Sequence, residues 1–188
     1  MKRTIKNLIS VIYTFVKFCI IKIFHWNSFS FYFIERFSPG TEIDIGKNSK
    51  LILEEKVRAH TGVKIRVRDN AKVRIGKNTS FNYNCIITSH HEIVIGENVM
   101  CGPNVLIYDH DHDFRVQGGI TANKFKYGKV EIGNNVWIGA NTVILRNTKI
   151  GDNCVIGAGS VVSGEFPNNS LIVQKRKTDI IQIQTNQG

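Results

Sequence analysis

The stretch from Ile132 to Val162 reads in sixes: Ile132-Gly-Asn-Asn-Val-Trp, Ile138-Gly-Ala-Asn-Thr-Val, Ile144-Leu-Arg-Asn-Thr-Lys, Ile150-Gly-Asp-Asn-Cys-Val, Ile156-Gly-Ala-Gly-Ser-Val, then Val162-Ser-Gly. An aliphatic residue opens every hexad, glycine follows it in four of them, and asparagine holds the fourth place in four. A period of six is too short for a helix pair or a propeller blade; it fits a short strand plus a turn, stacked in a β-helix. The aliphatic residue would point into a narrow interior and stack on its equivalents in adjacent coils. Glycine suits a tight wall, and asparagine tolerates the left-handed backbone that a sharp corner requires. Ordinary hairpins alternate at period two with variable turns and would not hold a frame of six this long. The fold class expected is an all-β solenoid of hexapeptide repeats.

The same frame recurs upstream. Ile45-Gly-Lys-Asn-Ser-Lys leads to Leu51, Val57 and Val63; Ile75-Gly-Lys-Asn-Thr-Ser leads to Phe81 and Ile87; Ile95-Gly-Glu-Asn-Val-Met leads to Cys101-Gly-Pro-Asn-Val-Leu and Ile107. The early coils are irregular and basic. Val63, Ile65 and Val67 alternate with Lys64, Arg66 and Arg68, which reads as a strand with a solvated basic outer face. From Tyr108 to Lys129 no frame of six survives, and a long excursion from a regular solenoid is where function usually sits. The organisation expected is a helical segment over 1–37, a solenoid over 41–167 with an excursion at 108–129, and a tail over 168–188.

Residues 1–37 are of a different kind. Arg3, Asn7, Ser10, Thr14 and Lys17 recur at steps of four and three, on one side of a helix whose other positions are mostly apolar. Lys17 and Lys22 interrupt the apolar run, which argues against a helix spanning a bilayer, where about 20 uninterrupted apolar residues are needed. No small-residue cleavage site follows, as a signal peptide would require. An amphipathic helix lying on an anionic membrane surface and one packed on protein are both open.

The 188 residues carry a net charge of +10, which favours anionic partners. No nucleic-acid motif is present and the bases are scattered, so a phosphorylated ligand or a membrane surface is the expectation. Cys19, Cys85, Cys101 and Cys154 show no C-x-x-C spacing and read as small apolar fillers in a reducing compartment. The chain lacks G-x-S-x-G, Walker A and G-x-G-x-x-G signatures.

Asp109-His110-Asp111-His112-Asp113, at the mouth of the excursion, is the stretch with evident chemistry. Extended, it sets His110 and His112 on one face and the three aspartates on the other. A neutral imidazole is the natural general base near neutral pH, and a carboxylate or carbonyl on its other nitrogen would fix the tautomer. Such a base suits direct attack by a hydroxyl on an activated acyl group. A polar loop capping its own turns is the plainer reading. Zinc held by alternating His and Asp, with His90 and His91 as extra ligands, is a third.

Together, Asn82 with Asn84, Ile95-Gly-Glu-Asn-Val, Gly-Pro-Asn-Val, the histidine-bearing loop and Ile132-Gly-Asn-Asn-Val-Trp137-Ile-Gly resemble the hexapeptide-repeat acyltransferases. The resemblance is to the galactoside and maltose O-acetyltransferase branch, closest in flavour to its capsule and exopolysaccharide members. It implies a left-handed β-helix, acetyl-CoA as co-substrate with no metal required, a saccharide acceptor, and a homotrimer with sites between subunits. It places the catalytic histidine on His112, with His110 as the alternative, and acceptor contacts on Asn82, with Tyr83, Asn84 and Asp109 beside it. It places Trp137 on the pantetheine channel, backbone N–H groups near Gly139 and Ala140 at the oxyanion, and Lys175 and Arg176 near the nucleotide phosphates, although the usual G-x-P-x-R/K ending is absent. It implies a bacterial cytoplasmic enzyme, and the N-terminal helix would suit an acceptor held at the inner membrane face. A γ-class carbonic-anhydrase-like hydratase and a non-catalytic scaffold are the alternatives.

Overall fold

One aliphatic residue per hexad becomes one interior column per face of a triangular coil. The computed structural model describes residues 2–175 and Ile180, with side chains from Asn7 onward. Its strands form a parallel, left-handed β-solenoid of about six coils. On the first face Leu53, Ile75, Ile95, Ile132, Ile150 and Phe166 lie in register. Phe37, Ala59, Phe81, Cys101, Ile138 and Ile156 fill the second, and Ile43, Ile65, Ile87, Ile107, Ile144 and Val162 the third. Each layer is closed by parallel bonds such as Trp137 N–H to the Cys154 carbonyl at 2.9 Å.

The corners explain the asparagines. Asn78, Asn98, Asn135, Asn153 and Asn169 all have positive φ, between 56° and 62°. Their side-chain amides bond to one another from coil to coil at 3.1–3.2 Å, so each residue supplies both the turn and a rung of a polar ladder. The glycine of the hexad is equally constrained: a Cβ on Gly76 would come within 2.5 Å of the Gly96 carbonyl.

Coil length varies. Equivalent positions are 22 residues apart in the first coils, then 20, then 37 across the excursion, then 18 and 16. The extra residues of the early coils are why the frame of six blurs there. The solenoid also begins earlier than residue 41, because Phe29–Ser30 pairs with Leu51 and Ile52, and Arg36–Phe37 pairs with Arg58 and Ala59. It runs past residue 167, since Leu171–Ile172 still pairs with Val155 and Ile156. The basic strand is not simply solvated: Lys64 and Arg66 pair with Glu42, and Arg68 with Asp44, on the preceding coil.

The helix, α1 (Lys2–Phe24), packs with its polar stripe inward. Thr14 is fully buried; its Oγ1 accepts the Phe37 N–H at 2.9 Å and donates to the Ser10 carbonyl at 2.7 Å. The Lys17 ammonium donates to the Thr41 carbonyl at 2.7 Å, and burial lowers its pKa. The Lys22 ammonium donates to the carbonyls of Trp26 and Phe29. Phe18 carries the apolar contact inward, against Phe29 and Phe37 with ring centroids 5.2 and 4.9 Å apart, with the partly buried Ile21 beside it. The helix thus caps the first coil, and most of its apolar side chains face away from the protein.

Candidate active site

The strand Leu106–Tyr108 turns Ile107 inward, and the next inward position is Asp109. A carboxylate is thereby driven into the solenoid interior, fully buried. It is satisfied there by four donors: Ser89 Oγ at 2.6 Å, the backbone N–H groups of His90 and His91 at 2.8 Å each, and His110 Nδ1 at 3.2 Å. Burial alone would raise its pKa, but the bonds from His110, His90, Ser89 and His91 outweigh it and hold the carboxyl below its ordinary value. Asp109 is therefore not a substrate contact, and it does not lie with the other aspartates. It points inward at the bend between the solenoid strand and the next, and orients the histidine beside it.

Beyond Asp109 the chain leaves the coil as an antiparallel ribbon, in which His110–His112 pairs with Phe125–Tyr127. Alternation places His110 and His112 on one face, as expected. His110 stacks on His90 with centroids 3.9 Å apart, His90 on Phe125 at 4.5 Å, and Phe125 on His112 at 4.6 Å. Burial, and then the neighbouring His110, push the His90 imidazole down to about 4, so it stays neutral under ordinary conditions. On the other face Asp111 accepts from Arg146 Nε at 2.6 Å and Asp113 pairs with Lys126 at 3.2 Å, which tie the ribbon to the solenoid and to itself. The His110 side chain is only 13% exposed, whereas His112 stands at the rim. The arrangement is an imidazole open to a ligand and packed on Phe125, beside a second imidazole whose orientation is fixed by a buried carboxylate.

Asp109→Ala would take the shared acceptor from the Ser89 hydroxyl, the His90 and His91 N–H groups and His110 Nδ1, leaving Ser89 only its 3.4 Å bond to the Lys72 carbonyl. The variant is expected to lose about 3 kcal/mol of stability or more in chemical denaturation, at roughly 1–3 kcal/mol for each orphaned group.

The remaining expected residues lie elsewhere. Outward on the second face Arg36, Arg58, Ser80, Met100 and Trp137 form one column. With Asn7 and Ser10 of α1, and with His60 and Asn82 at the corner, they line a cavity of about 540 Å³. Trp137 is 55% exposed. The Asn82 amide oxygen accepts the Tyr83 N–H at 2.9 Å, and Tyr83 stacks on His60 at 4.8 Å. Asn84 has φ 58°, so the corner already accounts for it. Gly139 cannot serve at an oxyanion, because its N–H is spent on the Ile156 carbonyl at 2.8 Å. The Ala140 N–H carries no hydrogen bond among the described residues. Lys175 is exposed, and Arg176 lies outside the described residues.

The histidine ribbon and the Asn82–Trp137 cavity sit at different corners of the coil. The third face lies between them, including the strand Ile86–Ser89, about 13 Å long at 3.3 Å per residue. The contributions of Arg36, Arg58, His60 and Phe125 were invisible beforehand, since only coil lengths of 22 and 37 residues bring them into place. Burial pushes the Cys85 thiol up to about 11 and raises that of Cys101, consistent with inert fillers. Among the described residues no group of three His, Cys, Asp or Glu side chains is placed to hold a metal ion.

The repeat and the fold define a class. The bacterial transferase hexapeptide (six repeats) family model matches residues 129–164, the stretch that holds most of the clean hexads. It is 37% identical over 115 residues to a putative acetyltransferase of Schizosaccharomyces pombe, covering 60% of this chain and 54% of that protein. It is 37% identical over 99 residues to the galactoside O-acetyltransferase of Escherichia coli, covering 53% and 48%. Among solved structures it resembles a hexapeptide-repeat-containing acetyltransferase from Vibrio cholerae, with TM-score 0.51, 26% identity and coverage of 70% and 68%. The matched region spans about half the length of the first two relatives.

Proposed function

We propose that this chain moves an acetyl group from acetyl-CoA to a saccharide hydroxyl, with His112 as general base. The observation that carries the reading is the exposed His112 imidazole near the buried Asp109 and the half-buried His110 and His90. The likeness to the galactoside O-acetyltransferase supports the reaction class.

In this reading both substrates bind together. His112 takes the proton from the acceptor hydroxyl, and the oxygen attacks the thioester carbonyl. The C–S bond then breaks, and the imidazolium returns the proton to the departing thiolate. The Ala140 N–H is the oxyanion donor that the coil leaves available. Trp137 lines the thioester arm. Lys175 follows the strand Leu171–Ile172, two layers further along the solenoid and roughly 10 Å away at about 4.8 Å per layer, where a phosphate would lie.

Since one chain holds the base and the Asn82–Trp137 cavity at separate corners, the working site takes one corner from each of two copies in a homotrimer. The acceptor class is a cell-surface or capsular saccharide or its precursor, and the site of action is the bacterial cytoplasm.

The test is release of free CoA thiol from acetyl-CoA across a panel of oligosaccharides. Acceptor-dependent release by a trimer is the expected result. A monomer that turns over acceptor normally would contradict the shared site. Absence of release with every saccharide would leave a non-catalytic solenoid. Trp137→Ala is expected to weaken CoA binding about tenfold, for a lost aromatic contact of about 1.4 kcal/mol.

A further inference from the structure

A helix that packs by its polar stripe presents its apolar stripe to whatever lies outside. Leu8, Ile12, Val16, Ile20 and Ile23 follow one another at steps of four, four, four and three, and each is between 52% and 71% exposed. Phe33 extends the patch by packing edge-on to Phe15 with centroids 4.9 Å apart. This surface sits on the cap of the first coil, at the end of the solenoid rather than along its flanks. By length and composition Asn7–Phe24 could cross a bilayer. Its bonds to Phe37 and Thr41 instead lash it lengthwise to a coil whose outer face is charged, so it cannot thread through hydrocarbon while they hold.

We propose that α1 is a monotopic anchor that seats the end of the solenoid on an anionic membrane surface. Charge selects this occupant over a second copy of the chain. The first 34 residues contain no Asp or Glu and include Lys2, Arg3 and Lys6 at the start of the helix, beside the inward-bonded Lys17 and Lys22, within a chain of net charge +10. Two such ends meeting face to face would bring like charges together, whereas anionic headgroups would neutralise them. Tyr13, Trp26 and Tyr32, at 39%, 71% and 53% exposure, are amphipathic rings of the kind that settle at a lipid–water boundary. The inference does not depend on the transfer chemistry proposed above.

The test is co-sedimentation of the full chain with vesicles of phosphatidylcholine alone or with about a quarter phosphatidylglycerol. Binding to the anionic vesicles, weakened by salt, is expected. The double variant Ile12→Glu/Val16→Glu should bind about tenfold less or weaker. Leu171→Glu, a comparable change on the last strand at the opposite end, should bind as the parent does. No binding to anionic vesicles, or binding indifferent to the double variant, would overturn the proposal. So would a parent assembly that the double variant splits into smaller units, which would mean that a second copy covers the face. If the double variant does not fold, quenching of Trp26 by brominated lipid in a Trp137→Phe chain decides, with absence of quenching counting against the anchor.

Discussion

His112→Ala is expected to lower the turnover of acetyl transfer by about 10²–10⁴, the range for a lost general base, with little change in stability. The argument is one of access. His112 is exposed at the end of the ribbon strand and its ring touches only Phe125 among the described aromatic contacts. His110 has its Nδ1 committed to Asp109, lies against His90, and exposes only 13% of its side chain. His110→Ala should therefore lose stability along with activity, because it strips a donor from a buried carboxylate. Comparing turnover with unfolding free energy for both variants separates the two roles. A His112→Ala enzyme of parental activity, beside an inactive but stable His110→Ala, would transfer the base to His110.

Glu35→Gln is expected to stabilise the protein at alkaline pH. Glu35 is 1% exposed beneath the first coil; its Oε1 accepts the Tyr32 N–H at 3.3 Å and its Oε2 has no hydrogen-bond partner. Burial raises its pKa from 4.5 to about 8 against the lowering effect of backbone bonds from Tyr32 and Val57. A folded-state value above the unfolded one favours the protonated native state. This contribution is fully present below about pH 4.5 and is lost as pH rises through about 8. The loss amounts to as much as about 5 kcal/mol at 1.36 kcal/mol per unit. Thermal unfolding at pH 5 and pH 9 checks it: the parent should be markedly less stable at the higher pH, and the glutamine variant should lose most of that dependence. Equal losses in both proteins would place the dependence elsewhere.

The solenoid was legible wherever local chemistry repeats. Isoleucine at the head of a hexad, glycine against the next coil and asparagine at the corner are each demanded by one coil's own geometry, so Ile132 to Val162 announces itself. Phe29 and Phe37 stack on Leu51 and Ala59 without the glycine and asparagine that mark a repeat, so local pattern does not reveal the first coil. The polar stripe of α1 was equally legible, but periodicity defines a stripe without saying which side is inward. That direction depends on Thr14 finding Phe37 and Lys17 finding Thr41, more than twenty residues away in sequence.

At the site, alternation correctly paired His110 with His112. It misplaced Asp109, because that residue sits at the bend after the solenoid strand and points inward before the ribbon begins. Of the two backbone N–H groups expected near an oxyanion, that of Gly139 is spent on the Ile156 carbonyl, a bond between coils that no local pattern announces.

Calorimetric titration of the full chain with acetyl-CoA and CoA tests the central claim most directly, because it requires no knowledge of the acceptor. Micromolar binding, about −8 kcal/mol, reduced in the Trp137→Ala variant, is the predicted result. Absence of binding at millimolar ligand would contradict it, and the solenoid would then have to be understood without CoA chemistry.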